Sequence, residues 1–200
     1  MKISGLFIWL LVYPPFLFGQ EVGTYFDYLN VESGLSNNEV TAIVQDKYGF
    51  IWIGTRGGLN RYDGYQYVQY KSKISDTNSL VNNSIECLYS DGNYLWIGTK
   101  SGGLSRYDQT KEVFTNYQYD PKNEQSLSQN RIVSIFVDSK NRRWFGTFNN
   151  GVNLYKETKN VFSRYLEKRK VIRIIEDVQG NIWTVTNKDP QVSWPAFSLE

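Results

Sequence analysis

Four times along the chain an alternating apolar run closes on an aspartate. The runs are VTAIVQD (40–46), IECLYSD (85–91), IVSIFVD (132–138) and VIRIIED (171–177). Apolar residues at every second position predict half-buried strands. Each run is followed by a short polar turn containing Gly49, Gly92-Asn93, Asn141 or Gly180-Asn181. A second strand comes next: IWIGT (51–55), LWIGT (95–99), RWFGT (143–147) and IWTVT (182–186). The first three units continue through a glycine turn into GGLNRYD (57–63), GGLSRYD (102–108) and NGVNLYK (150–156). Each then adds a strand marked by paired aromatics: Tyr67 and Tyr70, Phe114 and Tyr117, Phe162 and Tyr165. No helical period is sustained anywhere. The prediction is an all-β chain of four-stranded antiparallel meanders, each the size of one β-propeller blade.

The repeat has a physical reason. A lone meander leaves both faces uncovered, and stacking like units covers each face with the next. Trp52, Trp96, Trp144 and Trp183 recur at spacings of 44, 48 and 39 residues and supply a large apolar anchor for that contact. Gly54, Gly98 and Gly146, two residues after each of the first three, permit close approach of a neighbour. Asp46, Asp91, Asp138 and Asp177 are placed to hydrogen-bond their own turns. This divides the chain into blades at 38–70, 83–117, 130–165 and 171–186, within a partial propeller spanning 21–186. That is three complete blades and the start of a fourth, too few to close in the usual way. The stretch TYFDYL (24–29) resembles a last blade strand, able in a closed ring to complete the final blade. Residues 187–200 lack the expected glycine turn and read as a non-repeat tail.

Composition narrows the chemistry. The 200 residues contain no His and a single Cys, which excludes Ser-His-Asp and Cys-His nucleophile pairs and an internal disulfide. Cys87 falls at a small, inward position and reads as an inert buried thiol. A formal charge of +2 is too small to argue for nucleic acid. The patch Lys168-Arg169-Lys170 reads as a solvated loop. Gly98-Thr99-Lys100-Ser101 lacks the spacing of a phosphate loop. Residues 1–20 combine Lys2 with an apolar run to Phe18 and read as a signal peptide, an uncleaved anchor being the other reading. The mature chain is therefore expected to be exported.

The pattern N-x-V-x-x-I-x-x-D-x-x-G-x-[IL]-W-[IV]-G-T-x-x-G-G-L-x-R-Y-D is met nearly throughout from Asn38 to Asp63 and kept from Asn83 to Asp108. The third unit keeps Asn130, Asp138, Trp144, Gly146, Thr147 and Gly151 but ends in Lys156. Residues 24–186 thereby resemble the two-component regulator propeller repeat. The resemblance implies the front of a hybrid sensor histidine kinase of Bacteroidetes type, with periplasmic propellers leading through a membrane helix to a kinase. It implies as partners the remaining blades and downstream sensor domains, an oligosaccharide ligand and a homodimer. The short blade count suggests a truncated or frame-shifted remnant of a longer sensor.

The recurring aspartates and the Arg61, Tyr62, Arg106 and Tyr107 set repeat blade by blade, which favours packing over catalysis. Arg56, Lys100, Phe148 and Asn149 follow the Trp strands and differ between blades. Variable loops on a regular scaffold are where binding usually lies, so these four are the candidate ligand contacts. No catalytic residue, metal site or cofactor is expected. The leading reading is a sensory binding module without kinase activity of its own. A propeller lyase or hydrolase, or a non-functional fragment, are the alternatives.

Overall fold

The computed structural model describes residues 26–187 and the backbone of 196–199. Every regular element among them is a strand. The first sheet contains β1 (Val40–Gln45), β2 (Ile51–Thr55), β3 (Gly58–Tyr62) and β4 (Tyr67–Tyr70) in that order. The second contains β5 (Ile85–Asp91), β6 (Tyr94–Thr99), β7 (Leu104–Asp108) and β8 (Val113–Tyr117). The third contains β9 (Ile132–Val137), β10 (Arg143–Thr147), β11 (Val152–Lys156) and β12 (Val161–Tyr165). The fourth has three strands, β13 (Lys170–Glu176), β14 (Ile182–Asn187) and β15 (Ala196–Leu199). All pairings are antiparallel meanders. The innermost strands stand in a row, β1 beside β5, β5 beside β9 and β9 beside β13, so the blades fan into an open arc.

Each blade interface is one apolar layer. Trp52, Leu59, Val44 and Tyr70 of blade 1 face Ile85, Leu88, Leu95, Ile97, Tyr107 and Phe114 of blade 2. The layer recurs with Trp96, Leu104 and Tyr117 against Ile132, Phe145, Tyr155 and Phe162, and with Trp144 and Val152 against Val171, Ile174 and Ile182. Rings within it meet edge-on, Trp52 with Tyr107 at 5.4 Å and Trp96 with Tyr155 at 5.4 Å. We call the side of a blade that carries the Trp its trailing face and the opposite side its leading face.

The aspartates do more than terminate strands. Asp46 Oδ1 accepts from the backbone N–H of Tyr48 and Phe50, while Oδ2 accepts from Trp52 Nε1 at 2.7 Å. Asp138 and Asp177 repeat this with Trp144 (2.8 Å) and Trp183 (2.6 Å). One carboxylate thus fixes both the turn and the indole. Blade 2 departs from it because its turn is one residue shorter. Trp96 Nε1 lies 3.3 Å from Asp91, and Arg143 of blade 3 fills the gap, its Nε donating to the same oxygen at 2.8 Å. Arg61 and Arg106, the cross-strand partners of Trp52 and Trp96, lie over those indoles at 5.9 and 5.6 Å. Blade 3 has Leu154 there, and Arg142 covers Trp144 from the turn side at 5.1 Å.

The linkers guard the outer edges. Residue 78 of the first linker accepts at its carbonyl from Phe114 N on β8, and Gln125 O accepts from Phe162 N on β12. Side chains two residues further along these strands add grip, Asn116 to Thr77 O and Ser79 O, Arg164 to Ser126 O and Leu127 O. Covering an edge strand in this way removes a template for aggregation.

Two expectations are corrected. Phe26–Leu29 forms no strand, and Phe26 and Tyr28 are exposed. The sheet such a strand could complete is the fourth, at the far end of an arc that does not close. The tail, despite lacking the glycine turn, supplies β15, whose Ala196 pairs with Val185 and Leu199 with Ile182. The leader at 1–20 lies outside the described residues.

Candidate ligand-binding ledge

At the end of the arc where β2, β6 and β10 finish, the inner strands begin. Thr55, Thr99 and Thr147 shape the turns there. Each hydroxyl donates to a glycine carbonyl, of Gly58, Gly103 or Gly151, and accepts from the N–H of Gly57, Gly102 or Asn150. The second glycine carries the positive φ, 97° at Gly103 and 76° at Gly151, and a Cβ there would collide with the carbonyl of Tyr117 or Tyr165. These turns present residues 56, 100 and 148 beside the entry of the next inner strand.

Arg56 is anchored from two sides. Its Nε donates to Glu39 at 3.0 Å and its Nη1 lies 3.3 Å from Glu86 of blade 2. The hydrogen bond to Glu39 raises its pKa against the opposing effect of burial, and the charge of Glu86 adds to the rise. Glu86 is shared, because Arg131 of blade 3 reaches it at 3.1 Å. Arg131 also lies over the Phe148 ring at 3.9 Å, and Lys170 Nζ of blade 4 lies 4.6 Å from the same ring. The result is a continuous row, Glu39–Arg56–Glu86–Arg131–Phe148–Lys170, crossing all four blades. Two of the four expected contacts, Arg56 and Phe148, belong to it. Lys100 is exposed and makes no ion pair among the described residues. Asn149 is exposed and tied to the ledge through its backbone N–H, which donates to Gln129 Oε1 at 2.9 Å.

Sequence reasoning missed Glu39, Glu86, Arg131 and Lys170. Lys170 is no solvated loop residue but the first residue of β13. A signal was present, since Glu39, Arg131 and Lys170 stand at or just before the start of an inner strand. A cavity of about 610 Å³ lies elsewhere, between the first linker and β8, walled by Ser72, Lys73, Asn78, Phe114 and Asn116. A smaller recess of about 210 Å³ recurs between the second linker and β12, so the cavity is a by-product of how each linker crosses its blade.

The family model for the two-component regulator propeller matches residues 34–57, the lead-in and first hairpin of blade 1. The chain thus carries a two-component regulator propeller repeat at residues 34–57. Its fold resembles the extracellular domain of a hybrid two-component system from B. thetaiotaomicron, with a TM-score of 0.74 and 30% identity over 80% of this chain and 23% of that one. The extracellular domain of a second such system from B. thetaiotaomicron gives a TM-score of 0.63 at 23% identity over 82% of this chain, a likeness of fold. A 47-residue stretch is 45% identical to histidine kinase P4 of Formosa agariphila. The propeller repeat chain spans 23% and 24% of the two structural neighbours and 3% of that kinase.

Proposed function

We propose that this regulator propeller is the ligand-sensing part of an extracytoplasmic two-component sensor and that its ledge takes an oligosaccharide. The observation that carries the reading is the likeness to the extracellular domain of a hybrid two-component system, at 30% identity. The ledge supports it chemically. Arginine, asparagine and an aromatic ring side by side suit sugar hydroxyls and ring faces. Arg56, Arg131 and Lys170 stand against Glu39 and Glu86, an excess of one positive charge that favours acidic sugars. Because Glu86 is held by arginines of the blades on both sides, a ligand that drew one arginine away would alter the spacing of three blades. In a sensor, such a bias between arrangements is the signal passed to a downstream kinase.

The test is calorimetric titration of the chain with oligogalacturonate and, for comparison, with a neutral maltooligosaccharide. Saturable binding of the acidic sugar, weakened about tenfold or more by Phe148→Ala with Arg131→Ala, is expected. Binding unaffected by those changes moves the site off the ledge, and depolymerisation of the sugar by the chain makes it an enzyme.

A further inference from the structure

The three interfaces between blades share one fitting that the fourth blade lacks. In each of the first three blades a small residue of the inner strand pairs with the glycine of the Trp strand: Ala42 with Gly54, Cys87 with Gly98 and Ser134 with Gly146. Together they leave a notch on the trailing face. The first apolar residue of the next inner strand fills it. A Cβ built on Gly54 would lie 2.6 Å from Ile85, one on Gly98 would lie 3.0 Å from Ile132, and one on Gly146 would lie 2.6 Å from Val171. A side chain larger than glycine at these positions presses on the plugging residue of the next blade and, at Gly98, also on Cys87 of its own blade.

In blade 4 the same pair is Arg173 with Val185. An isopropyl group and a long cation replace the notch. The rest of that face is still dressed for stacking, since Ile175 is 43% exposed and Trp183, unlike Trp52, Trp96 and Trp144, is not buried. The leading face of blade 1 is also intact. Val40 and Ile43 are 41% and 65% exposed, whereas Ile85, Ile132 and Val171, the equivalents of Val40, are 0 to 1% exposed, and Leu88, Ile135 and Ile174, the equivalents of Ile43, are half-buried or buried. One chain therefore carries a plug on its leading face and, but for two residues, the matching socket on its trailing face. Such a head-to-tail pair of surfaces builds rings when the rotation closes and filaments when it does not.

We propose that Arg173 and Val185 are a stop, which closes the trailing face of blade 4 to a further blade of this repeat and prevents chains from stacking head to tail. In an attempted stack, Val40 of one chain would have to occupy the space held by Val185 of the next. Close-packed interfaces do not absorb an isopropyl group by small adjustments.

Sedimentation velocity across a micromolar concentration series tests it on the whole chain. The unaltered protein is expected to sediment as a single blade stack. Arg173→Ser with Val185→Gly restores the notch and is expected to raise the weight-average mass about twofold or more. Adding Ile43→Asp, which puts a charge on the plug, should return it to the starting mass. An unaltered chain that stacks and is dispersed by Ile43→Asp alone overturns the proposal, as does a folded double variant that never associates. Should the double variant misfold, the reverse substitution decides. Gly146→Val installs the block between blades 3 and 4, and a melting temperature lowered by about 4 °C or more is expected. An unchanged melting temperature would show that a valine fits the notch, and the stop would not exist.

Discussion

Replacing Asp46 tests whether one carboxylate holds both a turn and an indole. Trp52 is fully buried, and its Nε1–H has Asp46 Oδ2 as acceptor at 2.7 Å. Asp46→Ala strands that donor in the blade interface, at a cost of about 1–3 kcal/mol. It also frees the N–H groups of Tyr48 and Phe50, bonded at 2.9 and 3.0 Å, which sit nearer the surface and regain water. Those two add roughly 0.5 kcal/mol each, so the whole loss is about 2–4 kcal/mol. Asp46→Asn is the sharper variant, because its volume is unchanged. All three donors converge on the two oxygens, and whichever way an amide is turned its NH2 faces a donor. Asparagine should therefore lose nearly as much as alanine. The assay is hydrogen exchange of the peptide spanning residues 40–62, with urea unfolding by Trp fluorescence beside it. Local protection should fall roughly 30-fold or more. If Asp46→Asn lies within about 0.5 kcal/mol of the unaltered protein, the clasp is incidental and the turn folds on its glycine alone.

Three further outcomes follow from the same geometry. The Asp177 carboxyl is held down at about 2, chiefly by the hydrogen bond from Trp183 with help from Asn181. A depressed folded pKa contributes stability above the ordinary carboxylate range, and loses it as pH falls through the folded value. Exchange protection in β13–β14 should therefore hold from neutral pH down to about 4 and fall between about 4 and 2; a loss already complete at pH 5 contradicts the assignment. Burial pushes the Cys87 thiol up to about 12, so alkylation by iodoacetamide at pH 8 should be slow in the folded chain and rapid in urea. Equal rates would place the thiol outside the interface. Arg143 and Asp91 should couple by about 1 kcal/mol in a double-mutant cycle of Arg143→Leu and Asp91→Asn, read from urea midpoints, whereas additive losses would mean that the ion pair does not compensate for the short turn.

What was legible in the sequence is what repeats. The period of two in VTAIVQD and its relatives, and the tryptophans at near-constant spacing, fix strands, blades and interfaces. Asp46, Asp138 and Asp177 were recognisable as turn residues. Their second task on the indole was hidden because the six-residue span from Asp to Trp becomes meaningful only once the hairpin is folded. The ledge was half legible for a related reason. Arg56 and Phe148 stand out as variable residues after a recurring Gly-Thr, but their partners lie 17 to 30 residues away, at the start of the inner strand of the same or the next blade. Nothing in a single repeat announces that Glu86 is shared by Arg56 and Arg131. The failures share a cause as well. TYFDYL has the alternation of a strand without a sheet edge beside it. The tail 187–200 lacks the marks of a third strand, yet its residues 196–199 find an open edge on β14. In both, the availability of a partner outweighs local pattern.

The linkers also order events in time. Asn78, which covers the outer edge of β8 through Phe114, precedes that edge by 36 residues, and Gln125 precedes Phe162 by 37. A chain that emerges from its N-terminus therefore delivers the cover of each blade before the blade itself. At about 5–20 residues per second the lead is roughly two to seven seconds, long compared with the microseconds in which a hairpin forms. The last strand of blades 2 and 3 thus meets its cover on arrival, and the interval in which a bare edge could recruit a neighbouring chain is removed by the order of the letters alone.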